Sequence, residues 1–196
     1  IGREQRFLCI TRPRRFGKTV MANMVASYFG KAIDSSFVFE HLAIAKSPVY
    51  EEYINKYDVI YIDFIRLPEN CQTYEEYINR IKTGIKEDLL EEFSELELKE
   101  EMSLWDILAK IFQKTNRKFM FIMDEWDAVF HMPFISQKER QEYLLFLKNL
   151  LKDQVYVELA YMTGILPIAK YSAASELNMF VEYNMATRRS EERRVG

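Results

Sequence analysis

Four short apolar runs divide the chain and predict buried β-strands. They cover residues 6–11, 58–64, 118–125 and 155–164, and each is shorter than a typical helix. The runs are apolar almost throughout, which is typical of strands whose two faces are both covered. The pattern therefore predicts a sheet that lies inside the molecule.

Helical periodicity fills most of the chain between these runs. Apolar residues recur at helical spacing in residues 18–29, 73–93, 103–116 and 137–154. Gly30 supplies a stop for the first helix, and Ser103 supplies a cap for the third. Residues 31–57 predict only short helices or irregular chain. Because strands alternate with helices, we expect an α/β fold with a parallel sheet covered by helices on both faces.

The composition is that of one globular domain. A chain of 196 residues with 48% apolar content can bury roughly 70% of the surface it exposes when unfolded. The net charge of -3 excludes a polycation that coats nucleic acid, so any basic site must be local. No apolar run approaches the roughly 18 residues that cross a bilayer, so we expect no membrane partner. Cys9 and Cys71 lack metal-ligand spacing and are expected to stay reduced, which favours a cytoplasmic location.

The two ends of the chain carry further expectations. Ile1 directly precedes the first predicted strand without an initiator Met, so we expect an N-terminal piece to be missing. Residues 1–186 are assigned to the folded domain. Residues 187–196, TRRSEERRVG, are polar and patternless, so we expect a disordered or non-native tail.

The segment RPRRFGKT, residues 12–19, joins the first strand to the first helix and ends like a phosphate-binding loop. Such a loop needs inward backbone N–H groups, a helix N-terminus, a lysine for the outer phosphates and a hydroxyl for magnesium. Arg12 stands where the pattern G-x-x-x-x-G-K-[ST] has its first glycine, whose role is a permissive backbone that other geometries can replace. We assign these residues to nucleotide binding: Arg12, Pro13, Arg14, Arg15, Phe16, Gly17, Lys18, Thr19 and Val20.

Two other interpretations of this loop remain open from its residues alone. Gly-Lys-Thr is a common tripeptide, and the segment also fits a basic turn that caps a helix. The arginines at 12, 14 and 15 would also suit the phosphates of a nucleic acid. Their position beside Lys18 favours contact with a nucleotide or anchoring of the loop.

Two adjacent acids end the third predicted strand and supply the other half of a nucleotide site. The carboxylate of Asp124 suits the hydration shell of magnesium opposite Thr19. Glu125 can accept a proton from an attacking water, a feature that separates hydrolytic ATPases of this type from P-loop kinases. Thr163, which ends the fourth strand, is a candidate catalytic residue that orients the water or the outermost phosphate. Without a nucleotide, the same acids would be an ordinary solvated strand end.

Other polar residues have weaker claims to a function. Asp63 ends the second strand, where it either joins the site or caps the following turn. Asp127 is a candidate to support the acid pair from behind. His41 and His131 are single and unpartnered in the sequence, so we expect them to lie on the surface or in loops.

Five segments together resemble the bacterial AAA-ATPase-like proteins, predicted P-loop ATPases whose longer members often continue into a nuclease-like C-terminal domain. The segments are ITRPRRFGKT, NKYDVIYIDF, FIMDEWDAVF, LAYMTGILPIAKY and LNMF. The resemblance implies a three-layer P-loop NTPase with a mainly parallel sheet of strand order 5-1-4-3-2. It also implies that arginine is normal at position 12 of this chain. The same resemblance implies that Lys18 binds the phosphates and that Thr19 and Asp124 bind the metal. It also implies that Glu125 is the general base.

The resemblance also has two departures. The segment that precedes the first strand in the family is absent, and after Met185 the family's continuation gives way to ATRRSEERRVG. We therefore expect that the nuclease-like part is missing and that the sheet can lack edge elements such as a final strand.

ATP hydrolysis with Mg²⁺ is the function that these observations predict. The alternative is a nucleotide-dependent switch, or a module that binds nucleic acid or protein, with little hydrolysis of its own. No arginine in the chain can be assigned to a neighbouring subunit's site, which favours that alternative. Transfer of a phosphate to a small molecule is disfavoured by Glu125. Nucleic acid is a possible partner through the missing nuclease-like domain, and the sequence does not define the oligomeric state.

Overall fold

One five-stranded parallel sheet forms the centre of the molecule. The computed structural model describes residues 5–66, 71–171 and 175–184. The strands are β1 Phe7–Thr11, β2 Asp58–Asp63, β3 Phe119–Asp124, β4 Val157–Gly164 and β5 Val181–Tyr183. Their order across the sheet is β2-β3-β4-β1-β5, and all four neighbouring pairs are parallel. This is the predicted order 5-1-4-3-2, read from the opposite edge.

The fifth strand corrects one expectation. The sheet does not lack its final strand, because β5 pairs with β1 through Leu8, Cys9 and Ile10. Three residues are too few to give a recognisable apolar run, so the sequence pattern did not reveal β5. The predicted tail, residues 187–196, lies outside the described residues, and the division of the chain at residue 186 stays a prediction.

Helices cover the sheet where the apolar periodicity predicted them. They are α1 Lys18–Phe29, α2 Ser36–Phe39, α3 Tyr50–Tyr53, α4 Tyr74–Glu92, α5 Leu104–Thr115 and α6 Gln137–Leu151. Side-chain hydrogen bonds fix the starts of the longer helices: Thr73 and Glu76 form a capping box on α4, as do Ser136 and Glu139 on α6. Ser103 caps α5 as expected. In the part of the chain that the structure describes, no helix is both long and apolar enough to cross a membrane.

The two faces of the sheet carry separate apolar clusters, which makes the fold three-layered. The larger cluster joins the sheet to α4, α5 and α6, and the smaller one joins it to α1, α2 and α3. Along β3, Phe119, Phe121 and Met123 belong to the larger cluster, whereas Met120 and Ile122 belong to the smaller. This alternation within a fully buried strand explains why the β3 sequence is continuously apolar.

The strand register brings the polar strand ends to one edge of the sheet. Asp63 lies opposite Asp124, and the β3–β4 ladder runs to Met123 and Met162, one residue before Asp124 and Thr163. On the other side of β4, Thr163 lies opposite Ile10. The loop that leaves β1 therefore starts at the same edge as the acids.

Candidate nucleotide-binding site

The loop between β1 and α1 turns later than the sequence pattern suggests. The backbone N–H of Arg12 donates to the carbonyl oxygen of Gly164 at 3.1 Å, so Arg12 continues the β1–β4 ladder. The left-handed backbone conformations fall at Arg15, with φ of 67°, and at Gly17, with φ of 72°. A glycine is not needed at position 12, because Arg12 does not adopt a positive φ. The fold thus explains how the loop accepts an arginine there.

Helix α1 presents free backbone donors to this loop. Gly17 is its N-cap residue, and among the described residues no side chain caps that end and no acidic residue lies in the first turn. The first N–H groups of a helix have no partners within the helix, and the helix dipole places partial positive charge there. Arg14 and Arg15 are exposed beside it. This end of α1 therefore suits an anion such as phosphate.

Lys18 is buried at the start of α1 and forms an ion pair with Glu125. Its Nζ lies 3.1 Å from Oε1 of Glu125, and it donates to the carbonyl oxygen of Pro13 at 3.4 Å. The Lys18 side chain is 3% exposed and that of Glu125 is 15% exposed. An ammonium group this far from water requires a counter-charge. The two halves of the predicted site therefore meet at one edge of the sheet.

Asp124 is held by side chains from both neighbouring strands. Its Oδ1 accepts a hydrogen bond from the hydroxyl of Thr163, and its Oδ2 lies 3.5 Å from the hydroxyl of Tyr61. The Thr163 oxygen also accepts from the backbone N–H of Glu125 at 3.1 Å. Because the single hydroxyl proton of Thr163 is directed at Asp124, Thr163 positions the acid pair in this arrangement. Its expected direct contact with water or phosphate stays a prediction.

Asp127 follows the two acids in the sequence, and its side chain anchors the loop after β4. It is 1% exposed, and its Oδ2 accepts from the backbone N–H groups of Ile165 and Leu166 at 2.9 and 3.3 Å. The hydroxyl of Tyr171 lies 3.4 Å from the same oxygen. Burial, followed by the charge of Asp127, raises the pKa of Tyr171 to about 12, so its hydroxyl stays a donor. Among the described residues, Asp127 forms no hydrogen bond with Asp124 or Glu125, so its suggested support of the acid pair stays a prediction.

The indole of Trp126, the residue after Glu125, packs closely against Gly164. The indole is fully buried and makes edge-to-face contacts with Phe130 and Tyr171 at centroid distances of 5.6 and 5.7 Å. A Cβ added to Gly164 would lie 2.5 Å from the indole Nε1 and 2.8 Å from its Cδ1. A side chain at position 164 would therefore displace the indole or the strand end beside Thr163.

The remaining residues of the predicted loop differ in their surroundings. The guanidinium of Arg12 donates to the carbonyl oxygens of Thr11 and Tyr183 at 2.9 and 3.1 Å, which ties the loop to β5. Phe16 and Val20 are 58% and 63% exposed. Thr19 is exposed in the first turn of α1, and among the described residues no hydrogen bond joins it to Asp124.

The weaker candidates lie outside this network. Asp63 accepts a hydrogen bond from the backbone N–H of Ile65 at 3.0 Å, so it caps the turn after β2. His41 is exposed beside Glu40, and His131 is exposed with its ring nitrogen 3.1 Å from the hydroxyl of Tyr171. The expected surface positions of both histidines are therefore confirmed.

Tyr61 is the residue at this site that the sequence analysis missed. Burial, followed by the charge of Asp124, raises the pKa of Tyr61 well above its ordinary value, so the hydroxyl remains a donor. The available signal was a tyrosine inside an apolar strand, since a phenolic hydroxyl in such a place needs a polar partner.

The oxygen groups at this edge match the preferences of magnesium. Mg²⁺ is usually bound by one or two carboxylates together with the phosphates of a substrate, and it keeps several waters. Asp124 and the hydroxyl of Thr19 are hard oxygen donors of this kind. Within residues 5–66, 71–171 and 175–184, no group of three or more His, Cys, Asp or Glu side chains could hold a metal alone. The donor set therefore fits a magnesium ion that arrives with a nucleotide.

One protein family has a model that covers most of this chain. That model, described as Predicted AAA-ATPase, matches residues 1–174. A similar solved structure is the ORC2 protein of Aeropyrum pernix in ADPNP-ADP complexes, with 11% identity and a TM-score of 0.43 over 92% of this chain. The chain spans 42% of the length of that structure's chain. The curated proteins gave no match. Since the family model covers residues 1–174 of 196, the chain belongs to the AAA-ATPase-like family of predicted AAA-ATPases.

Proposed function

We propose that the protein binds ATP with Mg²⁺ at the N-terminus of α1 and hydrolyses it. The observation that carries this proposal is the 3.1 Å contact between Lys18 and Glu125 at the carboxyl edge of the sheet. The contact joins the lysine of the β1–α1 loop to Glu125, which follows Asp124 directly. Ligands of parallel α/β sheets bind at this edge, and the family supports a nucleotide as the ligand.

The loop and the helix would bind the phosphates. Lys18 supplies an ammonium group, and the uncapped N–H groups of α1 supply further donors. Arg14 and Arg15 add positive charge at the mouth of the site. Thr19 and Asp124 would hold Mg²⁺, which when bound neutralises charge that develops on the phosphates.

Glu125 would act as the general base. Its carboxylate takes a proton from water, and the water oxygen bonds to the terminal phosphorus as the bond to the bridging oxygen breaks, giving ADP and phosphate. Glu125 must leave Lys18 before it can do so, because the two are paired at 3.1 Å. Phosphate oxygens compete for the same ammonium group, so nucleotide binding would release the base. Thr163 keeps the Glu125 backbone fixed meanwhile.

The test separates nucleotide binding from hydrolysis. We expect Lys18→Ala to abolish ATP binding, measured by calorimetry and by Trp126 fluorescence, since the indole follows Glu125 directly. Glu125→Gln should keep binding and lose phosphate release. Lys46→Ala and Glu101→Gln, which change exposed residues, are the matched controls. A Glu125→Gln protein that releases phosphate at the parental rate would remove Glu125 from its role.

A second candidate function is a nucleotide-dependent switch with little hydrolysis of its own. The Lys18–Glu125 pair favours it, because the base is occupied until a ligand displaces it. Turnover that stays at background in the full-length protein with its partner, despite tight ATP binding, would select the switch. A nuclease-like continuation and contact with nucleic acid are further proposals that rest on the family resemblance. A cytoplasmic location is a proposal that rests on the expected reduced state of Cys9 and Cys71.

A further inference from the structure

Strand β2 forms one edge of the sheet. Along its six residues, Asp58–Asp63, it pairs with β3 and with no other strand among the described residues. An edge strand presents backbone donors and acceptors that another extended chain can use. Proteins commonly shield such edges with short strands, prolines or covering loops. An edge that lacks such shielding can pair with another chain.

The direction in which the unpaired backbone groups of β2 point follows from the hydrogen bonds at the start of the strand. At its start, the N–H of Tyr57 donates to the carbonyl of Phe29 at 2.8 Å, and the carbonyl of Tyr57 accepts from Lys31 at 3.0 Å. Both groups of Tyr57 therefore point away from β3. Since alternate residues of a strand point the same way, Val59 and Tyr61 also direct their backbone groups outward. Neither residue has an outward backbone partner within residues 5–66, 71–171 and 175–184.

A groove runs along this edge. Its cavity volume is about 630 Å³, and it is lined by β2, by α4 and by residues 30–32. Ile85 and Leu89 line it from α4, and Val59 and Tyr61 line it from β2. Gly30 already forms a single parallel bridge to Tyr57 at one end of the groove. The groove thus continues a strand position that the described residues occupy only at the start of β2.

The charges that line the groove are predominantly acidic. Asp58 and Glu92 are matched by Lys31 and Arg117, which lie 2.6 to 3.8 Å from their carboxylates.

Asp88 and Glu91 line the same groove from α4, where residues three apart share a face. Both are exposed, and among the described residues neither has an ion-pair partner. Two uncompensated carboxylates therefore face whatever lies along the β2 edge.

We propose that this groove binds an extended segment of a partner protein that adds a strand beside β2 and carries Lys or Arg opposite Asp88 and Glu91. The backbone groups of Val59 and Tyr61 supply the hydrogen bonds, and the two carboxylates select basic side chains. A second copy of this chain pairing through β2 is disfavoured, because it would bring the same acids of both copies together. The groove does not include the phosphate loop, and the two places share Tyr61, which lines the groove and contacts Asp124 through its hydroxyl.

The probe is a short acetylated peptide in which Lys and Val alternate, and its counterpart alternates Glu and Val. Binding is measured by fluorescence anisotropy, and amide protection of residues 58–63 by hydrogen–deuterium exchange. The double variant Asp88→Lys/Glu91→Lys should bind the Lys-Val peptide about tenfold more weakly and gain affinity for the Glu-Val peptide. Glu40→Lys/Glu51→Lys makes the same charge change in the other layer, at the residue after α2 and on α3, and serves as a control. Val59→Pro removes one outward N–H, which edge strands tolerate, and should also weaken binding.

Support requires that the Lys-Val peptide protects residues 58–63 and that the charge reversal alters its affinity while the control does not. Four results would overturn the proposal. They are no binding at about 1 mM peptide, binding without protection of β2, equal affinities for the parent and the charge-reversed protein, and protection of β2 by dimerisation without peptide. If Val59→Pro fails to fold, the charge-reversed pair still decides between these results.

Discussion

Glu125→Gln should raise the affinity of the protein for ADP while it removes hydrolysis. In the ligand-free protein, Glu125 neutralises Lys18, whose side chain is only 3% exposed. Nucleotide phosphates compete with Glu125 for that ammonium group. The substitution keeps an oxygen that can accept a hydrogen bond but removes the negative charge. The ligand-free state is therefore destabilised more than the bound state.

The size of the effect follows from the strength of the pair. A hydrogen bond that involves a charged group contributes about 1.5–3 kcal/mol, and the bond from Lys18 to a glutamine stays in this class because the ammonium keeps its charge. Replacing the carboxylate by an amide should therefore cost the ligand-free state the width of that range, about 1–2 kcal/mol. If the bound state does not contain the pair, the dissociation constant for ADP falls about 5- to 30-fold. Removal of a carboxylate that repels the phosphates changes the affinity in the same direction.

The assay uses ADP, so that hydrolysis does not affect the measurement. Calorimetry gives the dissociation constant for ADP, and denaturation without ligand gives the free energy of unfolding of each protein. Glu101→Gln makes the same change at an exposed position and should alter neither quantity. An unchanged or weaker affinity of Glu125→Gln for ADP would refute the reasoning, because it would mean that Glu125 and the phosphates do not compete for Lys18.

Three further changes test the surroundings of the site. Gly164→Ala should lower the free energy of unfolding by about 1–3 kcal/mol and shift the fluorescence of Trp126, because the added Cβ would lie 2.5 Å from the indole. Unchanged denaturation and unchanged emission would contradict this prediction. Tyr61→Phe should raise the Mg²⁺ concentration needed for half-maximal nucleotide binding by about threefold without altering the fold, because the hydroxyl orients Asp124; an unchanged Mg²⁺ titration would count against it. Arg12→Gly restores the glycine of the loop pattern, yet it should lower the free energy of unfolding by about 1–2 kcal/mol and not improve nucleotide binding. Tighter binding with unchanged stability would mean that Arg12 is not an anchor.

The layers could be predicted because apolar patterning sets them, whereas the strand order was expected only from the family resemblance. β3 is buried along its whole length, and its continuous apolar run reflects two covered faces. β5 escaped detection, because three residues at a sheet edge carry too little apolar signal and gain their place only by pairing with β1. The residue at which the loop after β1 begins could not be predicted from the local sequence either. Arg12 keeps an extended backbone because Gly164, which is distant in sequence, accepts its N–H.

That Lys18, the two acids and Thr163 meet at one edge could be predicted from the sequence, but their pairwise contacts could not. Sequence spacing placed Lys18 and the acids at one edge, which required only that parallel strands end together. Which acid meets the lysine depends on the backbone of Glu125, whose φ of 51° turns it out of the strand direction. Thr163 accepts the N–H of that residue and donates to Asp124, so a single hydroxyl fixes the different orientations of the two acids. The left-handed residue at the end of β3 thus separates the carboxylate that faces Tyr61 from the carboxylate that neutralises Lys18, and this separation is what would allow the two adjacent acids to take the different roles proposed for them.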